Sequence, residues 1–161
     1  MKVVLRYFLL IFPHLGIVLI VAAMTLGYFY NWRGKAVLLT TDKTNVFITK
    51  NKEIKIVPYA LTLSKINVTY YESGEPSCFE AIIQVEAHNS TEIISLYVNH
   101  PYKMAFGQDL YLKSTSQKTE ESEFCVVELV YDPFQGVFLA GIILIIIGLL
   151  VQLFSPVLPF L

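Results

Sequence analysis

Apolar residues are arranged in two different ways along this chain. At each end they run without interruption, as LLIFPHLGIVLIVAAMTLGYFY over 9–30 and GVFLAGIILIIIGLLVQLF over 136–154. A helix needs about 20 such residues to cross a bilayer, and both runs are close to that length. Between them, apolar residues recur at every second position. In FEAIIQVEA (79–87), Phe79, Ala81, Ile83 and Val85 share one face while Glu80, Gln84 and Glu86 share the other. That period of two belongs to a strand with one buried face. EIISLYVN (92–99) puts Ile94, Leu96 and Val98 in phase, and the turn-like HNST (88–91) before it predicts a hairpin. EFCVVELVYD (123–132) is apolar on both faces, which predicts a central strand.

One stretch changes phase. In PYALTLSKINVTYYESGEP (58–76), Tyr59, Leu61 and Leu63 stand in one register and Ile66, Val68 and Tyr70 in the other. The change at Ser64-Lys65 requires a bulge or a bend between two sheets, and ESGEP (72–76) closes the stretch as a turn. In VNHPYKMAFGQDLYLKS (98–114), Pro101 ends the strand before it because it cannot donate to a sheet ladder. Gly107 suits a turn or bulge, and DLYLK begins the next strand. With AVLLTT, NVFITK and IKIVPY upstream, six to eight short strands are available.

The pattern predicts a membrane protein with two transmembrane helices, 9–31 and 135–155. They flank an all-β domain over 32–134, an antiparallel sandwich or barrel-like fold. Short ends, 1–8 and 156–161, complete the chain, and Pro156 and Pro159 place the end of the second span near Ser155. The first run is longer than the apolar core of a signal peptide and lacks an A-x-A-like site, so an uncleaved helix is expected.

Composition strengthens this division. Of the 161 residues, 55% are hydrophobic and only 16% charged, too apolar for an ordinary soluble domain. All 13 acidic residues and 10 of the 12 basic ones lie from Arg33 to Asp132, so the middle carries 10 − 13 = −3. Lys2 and Arg6 are the charges on the short N-terminal flank, and cationic flanks stay in the cytoplasm. Both termini are therefore expected inside, with the β domain outside the cytoplasm. A mildly acidic outer domain gives no support for nucleic-acid binding.

Candidate chemistry is sparse. The histidines, His14, His88 and His100, show no metal spacing, and no Ser/His/Asp or Cys/His constellation can be assembled. Cys78 and Cys125 both fall in the outer domain, and the sequence leaves open a disulfide or two separate thiols. The sequons at Asn67 and Asn89 are read as chance. His14 lies inside the first apolar run, where an ionisable residue is costly and marks a functional position by default. Neutral imidazole is a common axial ligand of haem iron, whereas a histidine hydrogen-bonded at the membrane interface is the plainer reading. Gly16, Ala23 and Gly27 in the first run, and Gly141 and Gly148 in the second, recur at helix-packing intervals. Small residues of this kind let helix backbones approach closely in lipid.

HLGIVLIVAAMTLGYFYNWRG (14–34), PYALTLSKINVTYYESGEP (58–76), LYVNHPYKMAFGQDLYLKS (96–114) and VYDPFQGVFLAGIILIIIGLLVQLF (130–154) follow one another in an order that resembles the ResB-like (Ccs-type) proteins of system II cytochrome c biogenesis. The resemblance implies a bacterial cytoplasmic-membrane protein beside a CcsA-like partner. It implies transient haem handling, with His14 as the candidate ligand, and attachment of that haem to apocytochrome c. Family members usually carry two further helices before the His-Leu-Gly helix and a larger outer domain, so this chain matches a short form. With no acid–base machinery in view, the expected role is an accessory or scaffold and not an enzyme. A membrane-anchored β domain that binds another envelope protein is the alternative, and a thiol oxidoreductase using Cys78 and Cys125 comes third.

Overall fold

The structure is a computed structural model that describes residues 2–87, 90–116 and 123–154. His88 and Asn89 of the expected HNST turn lie outside the described residues, as does the tail 155–161 with Pro156 and Pro159. The chain divides into two compact units, one of residues 1–31 with 132–161 and one of residues 32–131.

The first unit is a pair of helices, α1 (Lys2–Tyr30) and α2 (Gln135–Phe154). Within them, Ile11–Tyr30 and Gln135–Leu153 are long and apolar enough to cross a membrane. Pro13 sits inside α1, where its missing N–H removes one hydrogen bond of the helix ladder. The start of α2 is set by Asp132, whose Oδ1 accepts a hydrogen bond from the Phe134 amide at 3.2 Å. Pro133 follows it in the position where a missing N–H is tolerated.

The second unit is eight strands in one antiparallel sheet. They are β1 (Trp32–Leu39), β2 (Thr44–Thr49), β3 (Ile54–Tyr70), β4 (Pro76–Ala87), β5 (Ser90–Tyr97), β6 (Tyr102–Ala105), β7 (Gln108–Ser116) and β8 (Phe124–Tyr131). Their order is β5-β4-β3-β2-β1-β8-β7-β6. The expected hairpin is present, with Ala87 opposite Ser90, and β8 is central, between β1 and β7. The phase change in the long strand is a bulge, where the β3–β4 register shifts between Leu63 and Lys65.

Two elements differ from the sequence reading. IKIVPY and the stretch after it are one strand of 17 residues, β3. Its first part pairs with β2, through Ile54 and Ile56, and its second part with β4, from Ala60 onward. Pro58 falls between Ile56 and Leu61, where the β2–β3 register shifts, a bulge position that tolerates proline. The second difference is β6, formed by YKMA. It pairs with β7 across a turn in which Gly107 has φ +69°, a conformation open to glycine at little cost.

One face of the sheet is apolar and buried. Leu38, Phe47, Leu61, Leu63, Ile83, Leu96, Leu110, Cys125, Val127 and Leu129 are buried together, drawn from β1, β2, β3, β4, β5, β7 and β8. Beyond the end of β5, Val98 bridges to Leu112 of β7 in parallel, joining opposite sides of the sheet. The Tyr59 hydroxyl of β3 donates to Gln108 Oε1 of β7 at 2.8 Å across the same interior. Burial pushes the Tyr59 phenol up to about 12, so it stays a neutral donor at physiological pH. The all-β expectation is met, among the described residues, by one antiparallel eight-stranded sheet with a buried apolar face.

Candidate functional site

Within the helical unit, the small residues do not all serve the same purpose. A Cβ added to Gly16 would stand 2.6 Å from the Gly141 carbonyl oxygen, and one on Gly141 would stand 2.7 Å from Ile20 Cγ1. A Cβ on Gly148 would lie 2.5 Å from Pro13 Cδ. At Gly16 and Gly141 the backbones touch, at Gly148 the Pro13 ring closes the gap, and nothing larger than glycine fits without a shift. Ala23 is buried on the same side of α1. Gly27 is different: the atoms nearest an added Cβ belong to the Asn31 side chain, 3.0 Å away, and not to α2.

His14 is one residue beyond Pro13, about 100° around the helix, and its side chain is exposed. Leu15, Ile17, Val18 and Val21 are exposed with it. The imidazole is therefore displayed on the outside of the helix pair and takes no place in the glycine seam. Among the described residues, no three His, Cys, Asp or Glu side chains gather where they could hold a metal ion. One imidazole can fill one axial position of a haem iron, and the second ligand would have to come from elsewhere.

A cleft of about 440 Å³ opens between α1 and α2 at the ends next to the β domain in the chain. Ala23, Met24 and Gly27 form one wall and Phe138 part of the other, with Asn31, Asp132 and Gln135 among the lining residues. Sequence reasoning missed this feature. The Asp-Pro entry to the second helix was visible, but Asn31 and Asp132 lie about a hundred positions apart, and only the fold brings them to one cleft.

The β domain offers less. Asn99 takes φ +65°, and the His100 amide donates to the Tyr97 carbonyl at 3.2 Å. His100 is thus a turn residue in the Asn-His-Pro stretch. His88 and Asn89 lie outside the described residues, and the other sequon asparagine, Asn67, is engaged. Its amide donates to Glu80 Oε2 at 2.9 Å while the Tyr97 hydroxyl donates to Glu80 Oε1 at 2.7 Å. Those bonds, led by the one from Asn67, hold the Glu80 carboxyl below its usual range.

The cysteines left open as a disulfide are two free thiols. Cys78 is half-buried on β4 and Cys125 is fully buried on β8, with β3, β2 and β1 between the two strands in the sheet. Burial pushes the Cys125 thiol up to about 12, which makes it inert toward electrophiles. Treatment of the native protein with iodoacetamide at pH 8 is therefore expected to modify Cys78 and spare Cys125, with both reacting in denaturant. Mass spectrometry showing equal labelling of the native chain, or no labelling before reduction, would contradict this.

No curated protein matches the chain significantly. The sequence profile of the ResB-like family does match, over residues 2–127, from α1 into β8. On a match that takes in the helix carrying His14 and nearly the whole sheet, the chain belongs to the ResB-like family.

Proposed function

We propose that this chain is an accessory or scaffold subunit of system II cytochrome c biogenesis. Its family supports a role related to cytochrome c biogenesis; the finer assignment rests on how the chain is built. The two helices cross the bacterial cytoplasmic membrane with both termini inside, and the β domain stands on the outer face. There it works beside a CcsA-like membrane protein that carries haem to apocytochrome c. The observation that carries the reading is the exposure of His14 on the outside of the helix pair, where it can meet haem shared with such a partner. Haem supplies the iron and the vinyl groups that become thioethers; this chain contributes one imidazole and a rigid outer domain.

A second reading is supported by the outer face of the sheet. Ile48 pairs with Ile54 across β2 and β3, and Val37, Ile48, Ile54 and Ile56 are all exposed, Ile56 by 71%. A contiguous aliphatic patch of this kind marks a protein–protein contact. It would serve a subunit of a haem-delivery complex or an anchored binding module with no haem role. Purification of the tagged chain with and without a CcsA-like protein separates the two readings. Haem absorbance that depends on the partner is expected. Stable capture of an envelope protein with no haem in either preparation would overturn the haem reading in favour of the binding module.

A further inference from the structure

The cleft in the helical unit has a composition that selects its occupant. The seam at Gly16, Gly141 and Gly148 is closed by backbone and ring atoms, whereas the space beside Gly27 is met first by Asn31 alone. The resulting opening of about 440 Å³ lies in the size range of small-molecule sites. Its apolar lining is formed by Ala23, Met24, Phe134 and Phe138. Two amides, Asn31 and Gln135, and a single charged group, the Asp132 carboxylate, also line it. No lysine or arginine lines it.

We propose that this cleft binds a membrane phospholipid whose headgroup bears a primary ammonium, of the phosphatidylethanolamine class. The inference rests on the reading that α1 and α2 cross the membrane. A primary ammonium carries three N–H donors, and Asp132 with the amide oxygens of Asn31 and Gln135 supplies acceptors for them. The ring of Tyr28, also lining the cleft, adds a face that attracts a cation. The amide N–H groups of Asn31 and Gln135 are donors for the lipid phosphate. The upper part of an acyl chain follows the apolar groove past Met24 and Phe138.

The same chemistry ranks the competitors. A quaternary ammonium has no N–H to give Asp132, so a choline headgroup is weaker. A headgroup with net negative charge, as in phosphatidylglycerol, meets a carboxylate and no cation. The two propionates of haem meet the same obstacle, which sets this cleft apart from the haem role proposed for His14.

The test uses the full chain in mild detergent, offered equal amounts of dioleoyl phosphatidylethanolamine, phosphatidylcholine and phosphatidylglycerol and read by native mass spectrometry. Retention of the ethanolamine lipid is expected to exceed that of the glycerol lipid by about ten-fold, the effect of one charge-assisted hydrogen bond. Asp132→Asn keeps a side chain that caps helices as well as aspartate does, and is expected to erase that preference. Gly27→Leu is expected to abolish retention of all three lipids while leaving the helix pair intact by circular dichroism. Equal or stronger retention of phosphatidylglycerol by the wild type would overturn the proposal. So would an unchanged lipid order in Asp132→Asn, or undiminished binding in Gly27→Leu. Release of the chain from membranes by alkaline carbonate would instead overturn the membrane reading, a result distinct from any lipid order.

Discussion

Replacement of Gly16 by leucine is expected to open the α1–α2 pair and to lower the stability of the helical unit by about 3 kcal/mol, the upper end of the cost of forcing volume into a packed contact. The obstacle explains why the upper end applies. A Cβ at this position already stands 2.6 Å from the Gly141 carbonyl oxygen and 2.7 Å from Ile145 Cγ1. The isoleucine can rotate, but the carbonyl belongs to the α2 backbone and moves only if the helix moves. In the membrane proposed for this pair, no hydrophobic driving force compensates, because lipid is as apolar as the partner helix, and close packing holds the helices together. Gly148→Leu should behave in the same way against the Pro13 ring. Val18→Leu is the control, since Val18 is exposed and added volume there meets no packed neighbour. Thermal unfolding in mild detergent, followed by circular dichroism, should show a lower midpoint for Gly16→Leu and no change for Val18→Leu. Equal midpoints for the two variants would show that the glycine seam does not hold the helices together.

The second large effect lies in the β domain. Phe47→Ala is expected to cost about 3–5 kcal/mol, the range for truncating a buried aromatic side chain. That is a large share of the roughly 5–15 kcal/mol by which a domain is ordinarily stable. Phe47 is 0% exposed on β2, and a Cβ on Gly34 of the neighbouring β1 would come within 2.8 Å of the Phe47 Cβ. The glycine leaves Phe47 its place, with the Trp32 ring packed over the same spot. The next residue supplies the contrast. Ile48 points to the opposite face and is 55% exposed, so Ile48→Ala should change stability by no more than about 0.5 kcal/mol. Trp32 packs against the core and lies 5.9 Å from Tyr131, and as the single tryptophan it reports unfolding of this domain in a urea titration. Similar midpoints for the two alanine variants would contradict the one-sided core.

These pairs show which features could be read in advance. A strict period of two marks burial by itself, so Ile83 and Leu96 could be assigned to the core from their neighbours along the chain. The bulge near Ser64 was legible for the same reason: an apolar series cannot stay on one face and change phase unless an extra residue intervenes. Strand β6 was not, because four residues beside Pro101 give too short a pattern to stand out from a turn. The continuity of β3 through Pro58 was hidden too. Proline reads as an interruption unless one knows that the β2–β3 register shifts there. The cleft depended on long-range placement, since nothing near Asn31 points to Asp132.

His14 falls between these cases. Its position in an apolar run singled it out, but periodicity alone does not say whether a lone polar residue faces its neighbouring helix or the outside. The glycine seam settles that, because Pro13, Gly16 and Ala23 occupy the buried side of α1.

The most direct measurement is the haem content of the chain co-purified with the CcsA-like protein proposed as its partner, taken from the visible spectrum for wild type and for His14→Ala. Removing one axial ligand should reduce bound haem by about ten-fold or more, an expectation that follows from the dependence of haem retention on axial ligation. The partner should still co-purify, because His14 lies outside the helix seam, and maturation of c-type cytochromes in the same cells should fall in parallel. A His14→Ala assembly with full haem absorbance and normal cytochrome c maturation would contradict the role proposed for this helix.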